Sequence, residues 1–237
     1  MPDIRFPNET DEYRRARAAL LTDERELRRM TERVAERRRR LPLGGEVPDD
    51  YEFEETAAAD KDVAYVVPRR MSSLFEGGHD TLVIYSFMYG PDMKRPCPLC
   101  TSILDGLDGQ APHITQRANL AVVAKSPIAR IQAFAHERGW RNLHLLSSAR
   151  NTYNRDYHGE DAQGEQLPMA NVFVRRDGRI HHFWSSELFH DPPDPSQDPR
   201  HVDAIWPLWN VLDWTPEGRG AFHPKLEYPV AVPIPLL

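Results

Sequence analysis

The chain is 237 residues long and 40% hydrophobic, with a formal net charge of −6 and only two cysteines. That length suits one α/β domain with an appendage and a sizeable core, and the negative charge excludes a general affinity for nucleic acid or anionic membrane. The sequence holds no run of about 18 apolar residues and no apolar export segment at its start, so neither a membrane span nor secretion is expected, and the expected compartment is the cytoplasm.

From Thr10 to about Arg40 the residues are rich in Glu, Arg, Ala and Leu without Gly or Pro, and Glu24 with Arg28 and Glu36 with Arg40 stand at i, i+4. This predicts one long helix. Tyr13, Leu20, Leu27 and Val34 recur every seven residues, but Asp23 and Arg37 interrupt the second stripe that a coiled coil needs. The helix is expected to pack on the domain or on a second copy of the chain, which would make a homo-oligomer. Arg37 to Arg40 suit the negative end of the helix dipole and do not call for nucleic acid. In residues 41–70 Pro, Gly and acids dominate, with Tyr51 and Phe53 as anchors and Val63 to Val67 as an edge strand; an extended arm leading into the domain is expected.

Thr81 to Met88 form a nearly continuous apolar and aromatic run, which predicts a central strand covered on both faces. Beyond it stand the two cysteines, in Cys97-Pro98-Leu99-Cys100. Cys100, Ile103, Leu104 and Leu107 repeat at i, i+3, i+4 and i+7, so Cys100 is expected on the buried stripe of a helix that begins near Cys97. Cys97 would sit in the exposed first turn, where the free amides and positive dipole end favour a thiolate, and Lys94 and Arg95 would push the same way. Cys97 is the candidate nucleophile, and Cys100 the thiol that attacks a mixed disulfide formed at Cys97. The same spacing also suits half a zinc site, but His79, His113, His181 and His182 give no ligand pair near the cysteines, so no metal is expected. Two inert buried cysteines are the remaining alternative, weakened by Pro98, which fits a helix's first turn.

Leu120 to Ala124 predict a second buried strand, and Ser126-Pro127 an N-cap and first helical residue. Ile128, Ile131, Phe134 and Ala135 mark that helix's apolar face, Gly139 its end, and Leu143 to Leu146 a third strand. The order strand, helix, strand, helix, strand predicts parallel pairing. Residues 147–166 are polar loop or short helix anchored by Tyr153 and Tyr157. Ala170 to Val174 and Ile180 to Trp184 flank Asp177-Gly178, a hairpin signal. His181 and His182, alternating along a hairpin strand, are expected to turn one ring inward and one outward, and Trp206, Trp209 and Trp214 to form a packing face, not a cofactor site; no phosphate loop or nucleophile elbow is present and no cofactor is expected.

Leu167 to Gly178 resemble the thioredoxin-fold segment in which a cis-proline opens a strand facing the cysteine pair. The resemblance makes Pro168 the matching proline and puts Met169 beside it, where the neighbouring backbone would hold an extended substrate. Tyr51-Glu52-Phe53, Leu74 to Gly77, the Cys-Pro-x-Cys site and Trp209 to Gly220, with its closing Thr-Pro-Glu-Gly-Arg-Gly, together resemble a bacterial thioredoxin-like family of unknown function. The match runs from about Tyr13 to Tyr228, and members are often labelled predicted dithiol-disulfide oxidoreductases. There are departures: thioredoxins have a buried Asp before their cysteines where Tyr85 stands here. Peroxiredoxins carry Pro-x-x-x-Thr/Ser-x-x-Cys, and Gly90 and Lys94 occupy those two places.

The resemblance implies an α/β thioredoxin-like fold over residues 61–237 behind a helical arm and linker at 1–60. It implies exchange with disulfide-containing proteins or low-molecular-weight thiols, with Cys97 and Cys100 reacting and Pro98, Pro168 and Met169 shaping the substrate groove. A peroxiredoxin-like thiol peroxidase and a non-catalytic binding or metal module are the competing expectations.

Overall fold

The computed structural model describes residues 4–58, 64–195 and 197–228. The chain divides into two units, Met1–Pro42 and Leu43–Leu237. The first unit is built on helix α1 (Asp11–Arg39). Thr10 caps it by accepting from the Tyr13 amide at 3.1 Å, and acids in the first turn and arginines in the last complement its dipole. None of its residues is buried.

The second unit is a seven-stranded sheet whose strands are β1 (Glu52–Ala58), β2 (Ala64–Arg70), β3 (Thr81–Ser86), β4 (Asn119–Ala124), β5 (Leu145–Ser147), β6 (Met169–Arg176) and β7 (Arg179–Ser185). Their order is β2-β1-β5-β4-β3-β6-β7. Strands β3, β4 and β5 are parallel, as the alternating strand and helix pattern predicts, and β6 pairs antiparallel with β3 on the other side. This is a mixed sheet with helices α2 (Pro98–Ile114) and α3 (Ile128–Arg138), each linking two parallel strands. The Asp177-Gly178 turn joins β6 to β7, with φ of 50° and 77°, the left-handed backbone such a two-residue turn demands.

Strand β3 is mid-sheet, and its alternate residues explain its uninterrupted apolar composition. Leu82 and Ile84 enter one core with Tyr51, Phe53, Tyr153 and Phe173, whereas Tyr85 points into the other with α2, α3 and the short helix α5 (Pro207–Leu212). No helix among the described residues is long and apolar enough to cross a membrane.

Several sequence expectations shift. Residues 51–58 are not an extended arm: Tyr51 and Phe53 are buried, β1 joins β5 through Glu54 opposite Ser147, and the sheet takes up residues before position 61. The expected boundary between 60 and 61, like Val63 at the start of the expected edge strand, lies outside the described residues. Pro127, not Ser126, caps α3. Ser126 is buried, and its hydroxyl donates to the Gly90 carbonyl at 2.9 Å. The polar stretch 147–166, by contrast, is loop and short helix as expected: it contains one turn, α4 (Tyr153–Asp156), with Tyr153 fully buried.

Candidate functional site

Cys97 is the N-cap of α2 and Pro98 its first residue, where a missing amide hydrogen costs nothing. The Cys97 amide donates to the Met88 carbonyl at 3.0 Å, which ties the helix start to the chain leaving β3. Its own carbonyl accepts from the Thr101 amide and hydroxyl at 3.0 and 2.9 Å. Cys97 is half-buried and Cys100 buried at 2% exposure; both are free thiols.

The two sulfurs differ in acidity for identifiable reasons. The Cys97 thiol is pulled down from 9.0 to about 6, first because the Cys100 thiol donates to its sulfur and then, against the cost of burial, because the Cys100 and Leu99 amides do the same. These amides belong to the N-terminal end of α2, where no carbonyl of the helix competes for them. Burial holds the Cys100 thiol well above its usual value, and donation to Cys97 adds to the effect, while the Tyr85 hydroxyl and the Met88 amide act in the opposite sense. At neutral pH the arrangement is an outer thiolate backed by an inner thiol.

The expected help from Lys94 and Arg95 is not what the structure builds. Arg95 forks onto Glu137 and its guanidinium lies 5.2 Å from the centre of the Phe134 ring. The ionisable side chain whose field lowers the Cys97 thiol is instead His223, from the far end of the chain.

The segment from Tyr89 to Pro96 is pinned over α3. Arg130 donates to the Pro91 carbonyl at 2.6 Å and to the Met93 carbonyl, and stacks 4.8 Å from the Tyr89 ring centre. A side chain at Gly90 would meet Gln166 Cγ at 2.9 Å, so glycine permits the close approach of these segments.

Both cysteines open onto a cleft of about 350 Å³. Pro168, the residue that the resemblance matches to the fold's proline, lines it with them. The described residues contain no cis peptide bond, however, so Pro168 meets the cysteines in the trans form. Met169 is fully buried and accepts from the Ser186 hydroxyl; its side chain is not part of the cleft wall. Pro98 faces a separate depression of about 440 Å³ that shares Phe222 and His223 with the cleft.

The opposite wall was not foreseen as part of a site. Trp206 and Trp209 line the cleft as well as packing in the core. Trp206 donates from its indole nitrogen to Ser102 at 2.8 Å and so fastens this wall to α2. Arg219 lies 5.4 Å from the centre of a Trp209 ring and is held by Asp213 at 2.8 Å, by Asp203 and by Asp198 at 3.5 Å. Arg200 pairs with Asp203 and Asp213 at 3.1 and 3.0 Å. The sequence signal was the Thr215 to Gly220 motif, which contains Arg219. Burial lowers His201 to about 4, so this cleft imidazole is neutral at pH 7. Among the described residues no group of three or more His, Cys, Asp or Glu is arranged to hold a metal.

Among solved structures the chain is similar to peroxiredoxins and to a thioredoxin, in the following three with TM-scores below 0.5. Peroxidoxin BcpB from Mycobacterium tuberculosis is 19% identical, with 73% of this chain and 98% of that chain covered and a TM-score of 0.44. The 1-Cys peroxiredoxin antioxidant protein of Plasmodium falciparum is 8% identical, with 72% and 98% covered and a TM-score of 0.46. The exposed lipoprotein thioredoxin Etrx1 of Streptococcus pneumoniae is 12% identical, with 67% and 99% covered and a TM-score of 0.37. No curated protein matches the chain. Residues 4–229 match a single family pattern, and the chain belongs to the bacterial proteins of unknown function grouped as DUF899.

Proposed function

We propose that this chain is a dithiol-disulfide oxidoreductase. The observation that carries the reading is the asymmetry of the sulfurs: a half-exposed Cys97 held near 6 faces a cleft, and a buried Cys100 thiol donates to it from one turn behind. A sulfur of such acidity is mostly thiolate at neutral pH while remaining a competent nucleophile.

In the forward direction the Cys97 thiolate attacks a substrate disulfide. A Cys97–substrate disulfide forms, the substrate S–S bond breaks, and the departing thiolate takes a proton from water. Cys100 then loses its proton to solvent and attacks the Cys97 sulfur, closing the Cys97–Cys100 disulfide and releasing the second substrate thiolate, which is protonated in turn. Two electrons pass to the substrate, and a thiol or dithiol reductant resets the pair. Pro168 and the two tryptophans form the walls against which the substrate lies. The wall's arginines are already paired with Asp203 and Asp213, which favours a substrate with an uncharged segment beside its disulfide, from either a protein or a low-molecular-weight thiol.

Equilibration in glutathione buffers of graded potential, followed by trapping of free thiols, tests the reading. The expected result is a reversible two-electron transition on the oxidising side of about −270 mV, because a stabilised Cys97 thiolate favours the reduced pair. Cysteines that never pair, or turnover that depends on peroxide, would overturn it.

A further inference from the structure

A resolving cysteine must shed its proton, and Cys100 sits where burial makes that costly. Tyr85 is on β3, fixed mid-sheet between Val122 of β4 and Ala170 of β6, and its ring enters the same core as Cys100. Tyr85 and Cys100 both line the floor of the cleft. The Tyr85 hydroxyl is buried and has no partner of ordinary hydrogen-bond geometry in the reduced protein, yet it is near enough to Cys100 for the two groups to shift each other's protonation. A buried hydroxyl left without a partner is a cost that phenylalanine would avoid. Phe87, two residues on and in the same core, shows that this face accepts a plain phenyl ring.

We infer that Tyr85 is a positioning residue for the resolving step, its hydroxyl donating a hydrogen bond to the Cys100 sulfur as that sulfur becomes a thiolate. The inference rests on the dithiol reading above. The hydroxyl keeps its own proton throughout; the Cys100 proton leaves to solvent, and the Cys100 sulfur gives its electron pair to the new bond with Cys97. An unsatisfied donor in the resting state thus becomes a satisfied one in the state where charge develops, which is the arrangement that lowers a barrier.

The test is a single-turnover reaction of the reduced full-length chain with hydroxyethyl disulfide, quenched in acid and scored for the Cys97 mixed disulfide. In Tyr85→Phe the mixed disulfide is expected to accumulate because its resolution slows about 10-fold, the size of a lost hydrogen bond to a charged group. The pH profile of Cys97 alkylation and the midpoint of thermal unfolding should stay at or above their wild-type values, which a merely structural role would not allow. A ring-fluorinated tyrosine at position 85, a stronger donor of the same shape, should speed resolution. Resolution at the wild-type rate in Tyr85→Phe, or no response to fluorination, overturns the inference while leaving the oxidoreductase reading intact. Failure of the wild-type chain to close its disulfide at all overturns both.

Discussion

The two faces of the sheet each bury a tyrosine hydroxyl, and they surround it differently. On one face Tyr153 sits among Tyr51, Phe53, Tyr157 and Phe173, with ring centres 4.9 to 6.2 Å apart around the cluster, and its polar neighbours are the Tyr157 and Tyr51 phenols, the Asn171 amide and the Ser86 hydroxyl. On the other face the polar neighbours of Tyr85 are two thiols. Neutral amide and hydroxyl groups keep their charge through any reaction, whereas a thiol that becomes a thiolate changes the value of every donor near it. The lesson is that burial alone does not distinguish a packing tyrosine from a working one; the chemistry of its neighbours does.

The largest expected effect comes from removing the outer sulfur. Cys97→Ser should reduce disulfide exchange by about a thousandfold or more, since the serine hydroxyl is not ionised at neutral pH. Cys100→Ser should instead stop after one attack and leave a trapped mixed disulfide, detectable by mass. In the wild-type chain, iodoacetamide labelling of Cys97 should be half-maximal near pH 6, the value to which its thiol is lowered. Labelling should fall below that pH as the thiolate is protonated and level off above it. A midpoint near 9 would remove the asymmetry between the sulfurs.

A smaller effect is expected at the cleft wall. The Arg219 side chain is 10% exposed and serves Asp198, Asp203 and Asp213 together. Arg219→Ala should therefore cost roughly 1–3 kcal/mol of stability in denaturant unfolding, mostly because those carboxylates lose their common partner. Tryptophan fluorescence should report the loosening through Trp209. The smallest effect sharpens the comparison between faces: Tyr153→Phe should change stability by less than about 1 kcal/mol and leave mixed-disulfide resolution at the wild-type rate. Equal slowing by Tyr153→Phe and Tyr85→Phe would show that the two hydroxyls do not differ in role.

Much of the cysteine site was legible because it is local. The i, i+3, i+4, i+7 spacing from Cys100 to Leu107 placed Cys100 inside, and all four of those residues are buried. The position of Cys97 before Pro98 put its sulfur against free helix amides, and the Leu99 and Cys100 amides are among the groups that lower it. Charges were less legible. Arg95 is only two residues from Cys97, but a long side chain follows its best partner, and Glu137 on α3 is that partner. The tryptophans were legible only in part: helical spacing marks a face as buried without saying whether a cleft opens along it, and Trp214, expected to pack with Trp206 and Trp209, is exposed.

By itself the sequence determined the elements whose causes lie within a few residues: the long charged helix, the parallel strands and their helices, the Asp-Gly hairpin and the outer and inner character of the two sulfurs. Tertiary structure alone decided what depends on segments far apart in the chain. It brought Pro168 to the cysteines through the pairing of β6 with β3, carried His223 and the Arg219-backed tryptophans to the cleft, and set the Tyr85 hydroxyl beside Cys100. Helix and turn signals are written in local backbone preference, whereas the acidity of a thiol answers to every charge and donor that folding places around it.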